Sequence, residues 1–301
     1  MFGFINVLKP SGKTSRQAVD RVVRCGAGLK AGHAGTLDPL ASGVLVVAVG
    51  PATRLIHYVQ QMPKGYEAAF LLGRSSPTED IEGPTVELSG AVIPSRDALE
   101  KAARELTGTI LQRPPAYSAL KVSGRRAYEL ARRGESVTLE PRPVTVHHLQ
   151  ITSYEYPELR LSIQCSAGTY VRTLGRDLAV RAGTEAVMSA LVRTAVGAFT
   201  LPHAVSLDAI TAPRLPELVL DPLMAFEGWP RVMVDESEMA RLANGQTIHR
   251  PPGANASGEL PGREALAIDR AGRLLAVLEP VVASAENDAW HPRLSFVSHL
   301  S

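Results

Sequence analysis

The stretch from Gly32 to Gly50, GHAGTLDPLASGVLVVAVG, limits what this chain can fold into more than any other. Its second half, Val44 to Val49, is apolar at every position, rich in β-branched residues and bounded by Gly43 and Gly50. A run that short and that uniformly apolar predicts a buried strand rather than a helix. Its first half is a loop of small residues holding one acid, Asp38. The chain thus sets a carboxylate in a glycine-rich loop at the mouth of a core strand. Loops held by a rigid scaffold are where chemistry is usually sited.

Asp38 is the only acid between Asp20 and Glu67, whereas Arg21, Arg24, Lys30, Arg54 and Lys64 fall in that interval. A lone carboxylate among cations stays ionised and can serve as a nucleophile or base. Asp38-Pro39 also reads as an ordinary turn start, and spacing alone favours that plainer reading.

The 301 residues suffice for about two domains. With 45% hydrophobic and 21% charged residues the composition is that of a globular protein, and no apolar run is long enough to span a bilayer. MFGFINVLKP passes straight into a strand-like pattern without signal-peptide features. Cys25 and Cys165 give neither a disulfide framework nor a zinc spacing, so a cytoplasmic protein with free thiols is expected. The net charge of +2 announces no partner, but Arg113 to Arg142 is locally basic, with Lys121, Arg125, Arg126, Arg132 and Arg133. That excess suits a phosphate-facing surface and equally a solvated helix face.

Taken in order, Phe4 to Leu8 reads as a strand, and Thr14 or Ser15 caps a helix carrying Ala18, Val19, Val22 and Val23. The Gly12-Lys13-Thr14 triplet lacks the earlier glycine of a phosphate loop, since Val7 stands there. Ala52 to Gln61 reads as helical, and Lys64 to Gly73 as a strand with Tyr66, Ala68, Phe70 and Leu72 on one face. Ser75 to Gly83 is a polar, acidic loop, and Ser95 caps the next helix. A short helix over 125–133 and a strand over 144–151 follow; alternation in that strand sends His147 and His148 to opposite faces, making them poor joint ligands. Leu159 to Cys165 is a strand, Thr169 can cap a helix over 170–179, and Ala190 to Val196 is a further strand. Strands and helices interleave without a strict βαβ rhythm, which predicts an α+β architecture with a mixed sheet.

Asp221-Pro222 and Gly228-Trp229-Pro230 mark a boundary between a unit over 1–229 and a small β-rich module over 230–301. In that module a helix is expected over 236–243, a flexible loop over 251–258, and a hairpin-like pair around Asp269 to Gly272. About 70 residues make such a module marginal but viable alone.

Several collinear blocks resemble the TruB family of pseudouridine synthases: KPSGKTS from Lys9, GHAGTLDPLASGVL from Gly32, ATRL from Ala52, KGYEAAFLLG from Lys64, YSALKVSGRRAYELAR from Tyr117, and CSAGTYVRTLGRDL from Cys165. RLANGQTI and AIDRAGRLLAV look like a PUA-type RNA-binding domain. The resemblance implies isomerisation of the tRNA T-loop uridine, position 55, to pseudouridine after base flipping, with no metal or redox cofactor. It makes Asp38 the nucleophile; attack at ribose C1′, attack at uracil C6 and assistance to a glycal route all satisfy that role. Arg172 becomes the ion-pair partner of Asp38, and Tyr66 the residue that stacks on the base and is placed for proton transfer. His33 helps hold the flipped-out state, Tyr170 and Leu191 line the uracil pocket, and Lys13, Arg54 and Lys121 contact RNA or organise the cleft. An RNA-contacting insertion is expected over about 113–152. The partner implied is the tRNA T arm, with no membrane and no obligatory protein partner.

Three positions depart from the family pattern. SSPTEDIEG, from Ser75, stands where TDTxDxxG is usual, Val192 where arginine is frequent, and Arg54 where lysine is frequent. Two rival readings share these residues: a guide-RNA-dependent relative, which usually carries basic extensions, and a non-catalytic tRNA-binding or folding protein. A hydrolase is disfavoured because no G-x-S-x-G occurs.

Overall fold

A computed structural model describes residues 1–115, 117, 121–122, 125–126, 133, 139–250, 264–284 and 287–299. Among these, one mixed sheet contains β1 (Gly3–Lys9), β2 (Ala31–His33), β3 (Ser42–Val49), β4 (Lys64–Leu72), β5 (Gly108–Gln112), β6 (Arg142–Glu155), β7 (Glu158–Cys165), β8 (Ala186–Val196), β9 (Phe199–Thr200) and β10 (Val205–Ser206). The spatial order is β10-β1-β3-β8-β4-β7-β6-β5, with β2 on β3 and β9 on β8. The β1–β10 and β3–β8 pairs are parallel and the others antiparallel. This is the expected α+β fold.

The uniform apolarity of β3 has a direct cause. Val44, Val46 and Ala48 face a core shared with Phe4, Leu55 and Phe226, while Leu45, Val47 and Val49 face another shared with Val19 and Val22. A central strand covered on both sides has no polar face to display. The covering helix α1 (Ser15–Cys25) starts at a reciprocal capping box between Thr14 and Gln17. The expected helix after β3 is split into a 3₁₀ turn, Gly50–Leu55, with Pro51 in its first turn, and α2 (Ile56–Gln61).

Further along the face that α1 covers, α3 (Arg96–Glu105) and α4 (Val171–Arg181) cover the row Tyr66, Ala68, Phe70 and Leu72 of β4. α4 approaches this row so closely that a Cβ on Gly175 would lie 2.0 Å from the Phe70 ring. Gly175→Ala is therefore expected to push α4 off the sheet at a cost of about 1–3 kcal/mol, read as a lower Tm. Because Arg172 rides on the same helix, activity should fall with it.

A second sheet holds β11 (Arg231–Met233), β12 (Ile248–Arg250), β13 (Ala265–Ile268), β14 (Leu274–Ser284) and β15 (Asn287–Ser295), in the order β11-β13-β14-β15-β12. Helix α5 (Glu236–Ala243) lies beside it. The hairpin-like pair is β13 and β14, whose turn is tied by Arg273, donating from its backbone N–H and its Nε to the Asp269 carboxylate. This sheet does not keep its core to itself: Leu266, Leu274, Val277 and Phe296 pack in the same cluster as Phe4, Val46 and Phe226. Tyr58, Phe226 and Trp229 add an aromatic contact with ring centroids 5.0–5.5 Å apart.

Three local expectations change. A bulge in β6 between Val146 and His148 breaks the alternation, so His147 and His148 are both exposed. The helix expected over 125–133 is replaced at its start by a strand, Arg125–Arg126, paired with Lys121–Val122; residues 127–132 lie outside the described residues. Thr169 does not cap α4, since its hydroxyl donates to the Ser166 carbonyl and Tyr170 takes the cap position. The loop expected over 251–258 lies outside the described residues. No helix among the described residues is long and apolar enough to cross a membrane.

Candidate active site

The loop between β2 and β3 delivers Asp38 to the N-terminal end of α4. Arg172, in the first turn of that helix, places its Nε 3.2 Å from Asp38 Oδ2. The same guanidinium donates to the Thr78 carbonyl at 2.7 Å, to Asp80 Oδ2 at 3.3 Å and to the Tyr117 carbonyl at 3.0 Å. Its side chain is 8% exposed and that of Asp80 4%, whereas Asp38 retains 37%. Two carboxylates therefore balance one buried cation, and only Asp38 keeps a free edge toward solvent. A carboxylate fixed by one ion pair yet open on one side suits attack on, or proton abstraction from, a bound molecule.

Asp80 belongs to the acidic loop that departs from the family pattern. Its Oδ1 accepts from Thr78 Oγ1 at 2.7 Å and from the Glu82 N–H at 3.1 Å. Neighbouring Glu79 accepts from Thr173 Oγ1 at 2.7 Å and pairs with Arg176. Burial pushes the Glu79 carboxyl upward, with Arg176 and the Thr173 hydroxyl opposing it. The loop is thus clamped onto the helix that carries Arg172. Sequence reading placed no functional residue in it.

Tyr66 is buried on β4, directly opposite Arg193 in the β4–β8 register. Burial holds its phenol well above the ordinary value, while Arg193 works in the other direction. Arg193 is 2% exposed. It donates from Nε to the Val44 carbonyl at 2.7 Å and from its terminal nitrogens to the Gly35 and Thr36 carbonyls at 3.2 and 3.5 Å. These carbonyls flank Asp38 on both sides, so one buried cation staples the loop. Gly43 is required beside it, because a Cβ there would meet the Arg193 carbonyl oxygen at 2.2 Å. An arginine is frequent in the family at the neighbouring position 192; here the arginine that faces inward is Arg193. Period two was the available signal, since Leu191 and Arg193 share a face.

Leu191 is buried in the same cluster as Tyr66 and Leu37. Tyr170 is held at the start of α4 by buried Gln112, which accepts from the Tyr170 N–H at 2.7 Å and donates to its carbonyl at 3.1 Å. Arg142 lies 5.4 Å from the centre of the Tyr170 ring. His33 ends β2 with its Nδ1 buried and unpartnered among the described residues. Burial, reinforced by Arg193 and Arg16, lowers its pKa, with the Gly35 backbone working in the other direction.

Of the predicted cations, Lys13 is exposed beside this loop, Lys121 has its side chain outside the described residues, and Arg54 points elsewhere. Arg54 donates to the Ser295 carbonyl at 2.7 Å and sits 5.2 Å from the Phe296 ring centre. These contacts tie the 3₁₀ turn after β3 to the end of the second sheet.

The cation that anchors the loop from the β1 side is Lys9. It is fully buried, donating to the carbonyls of Pro10 and Pro39 at 3.0 and 3.4 Å and to that of Lys13. Burial lowers its pKa to about 8, with Asp38 and Glu82 pulling the other way. Lys64 is likewise lowered to about 8, chiefly by burial. Unfolded lysines hold their protons up to about 10.5, so between pH 8 and 10.5 the unfolded state binds more protons and these two groups make stability rise with pH. Lys9→Met is expected to flatten that rise, measured as the change in urea midpoint across the window.

The sequence from residue 22 to 171 matches the family model for the N-terminal domain of TruB family pseudouridylate synthases. The chain is 41% identical over 256 residues to tRNA pseudouridine synthase B of Thermobifida fusca, covering 82% of this chain and 86% of that protein. Identity to the protein of that name from Corynebacterium aurimucosum is 38% over 283 residues, covering 92% and 95%. Among solved structures, the crystal structure of a Cbf5-Nop10-Gar1 complex contains a chain that superposes with a TM-score of 0.75 at 25% identity, over 98% of this chain and 85% of that one. A loop carboxylate held by a helix-borne arginine, on a fold and sequence shared with these proteins, makes this chain a pseudouridine synthase of the TruB family.

Proposed function

We propose that this enzyme acts on tRNA, isomerising the T-loop uridine at position 55 to pseudouridine. The observation that carries this reading is the buried Arg172, shared between Asp38 and Asp80 while Asp38 alone remains open. The isomerisation breaks the N1–C1′ bond and joins C5 to C1′. C5 loses a proton and N1 gains one, so nothing is oxidised and no co-reactant is consumed. Asp38 supplies the negative charge that starts this exchange, and Arg172, 3.2 Å away, keeps it aimed.

The uridine must first leave its stack, at a cost of a few kcal/mol. His33, at the end of β2, helps hold the flipped-out state. Tyr170 and Leu191 line the uracil, and Tyr66 stacks on it and takes part in the proton transfers. Residues 1–229 form the catalytic unit, with RNA contacts from about 113–152 including Lys121, and 230–301 form a PUA-like RNA-binding module. The enzyme acts in the cytoplasm without a protein partner.

A T-arm hairpin labelled with tritium at uridine C5 tests the reaction directly. The purified chain alone should release the label of one uridine per hairpin into water. Binding without release would remove the assignment.

A further inference from the structure

From Lys13, at the edge of the site just described, a row of cations runs along α1, and the chemistry does not use those beyond Lys13. Lys13, Gln17, Arg21 and Arg24 recur at helical spacing on one side and, with Leu207 and Asp208, line a groove of about 280 Å³. Among the described residues none of these three cations has an ion-pair partner, whereas Arg16 on the adjacent row is paired with Asp20 at 2.8 Å. Asp208 is the single acid on the groove wall.

The row has a fixed direction. At its start, Gly12 donates its N–H to the Pro39 carbonyl at 2.8 Å, and Ser15 exchanges hydrogen bonds with the Leu37 backbone at 2.9 and 3.1 Å. Both partners adjoin Asp38. At its end, α1 turns back at Gly26 toward Lys30, whose carbonyl accepts from Gly50 at the far end of β3. The cations thus lead away from the catalytic loop along about 16 Å of helix. Unpaired cations one turn apart, in a groove that starts at the mouth of an RNA site, match a phosphodiester strand better than a protein surface, which would bring acids of its own.

We propose that this face of α1 binds the sugar-phosphate backbone of tRNA outside the T arm, beginning at Lys13 and continuing through Arg21 and Arg24. The proposal rests on the tRNA reading above. It assigns the groove to the part of the molecule that a T-arm hairpin lacks.

The test compares Arg21→Gln/Arg24→Gln with the unaltered protein in equilibrium binding to whole tRNA and to the T-arm hairpin across a salt series. Glutamine is a good helix former, so α1 should persist. The double variant should bind whole tRNA about tenfold more weakly, with a salt slope shallower by about 1.4–1.8, the loss of two phosphate contacts. Its affinity for the hairpin should not change. A Lys101→Gln/Arg104→Gln variant, which removes two exposed cations from α3, should behave as the unaltered protein with both RNAs. Equal weakening with both RNAs, no weakening with either, or the same loss in the α3 control would each overturn the proposal. Failure of the tRNA reading itself is separately visible, as absence of isomerisation by the unaltered protein on either RNA.

Discussion

Asp38→Asn is expected to lower isomerisation by on the order of 10⁴-fold, the scale on which a single essential carboxylate acts. The substitution conserves shape and removes one charge. The charge balance shows why the fold should tolerate it: Arg172 keeps Asp80 at 3.3 Å and the carbonyls of Thr78 and Tyr117. The guanidinium is therefore not left as an unpaired buried charge, the usual route to collapse when one member of an ion pair is removed. Binding of tRNA should persist, because Asp38 contributes charge at the reacting atoms rather than contact with the phosphates. Single-turnover kinetics together with equilibrium binding separate the two effects. Retained turnover would take the reacting role away from Asp38.

The second large effect is expected at Arg193. Arg193→Met keeps the length of the side chain and removes the donors to Val44, Gly35 and Thr36. Each buried carbonyl left without a partner costs roughly 1–3 kcal/mol. Part of this is offset, because the guanidinium has no carboxylate within ion-pair distance among the described residues and its own burial is expensive. The net result should be a modest drop in Tm. Activity should fall further, by about 10²-fold, since the staple on both sides of Asp38 is gone and small misplacements of a reacting group are costly. The fall should lie in kcat more than in KM. A variant as active as the original would mean that the loop holds its shape without this cation.

β3 was legible because burial on both faces leaves only apolar positions, and α1 because Thr14 and Gln17 form a local capping box. Asp38 and Arg172 came from resemblance, not from spacing, since spacing alone favours reading Asp38-Pro39 as a turn. Asp80 was hidden because its partner Arg172 is 92 positions away and its loop reads as solvated. Arg193 meets Val44 across 149 positions, and a charged residue on a strand is ordinarily given to the surface. Lys9 follows Ile5 and Val7 on the inward row of β1, a signal that alternation contained. The joining of the two sheets was not legible, because the cluster around Phe4, Phe226 and Phe296 is assembled from segments at opposite ends of the chain.

The central claim is that this chain alone turns a T-loop uridine of tRNA into pseudouridine. Nucleotide-resolution pseudouridine mapping of an unmodified tRNA transcript, incubated with the purified protein and nothing else, tests it most directly. Conversion of the one uridine at position 55 is the predicted result. A transcript that is bound but unconverted, or converted at scattered uridines, would contradict it.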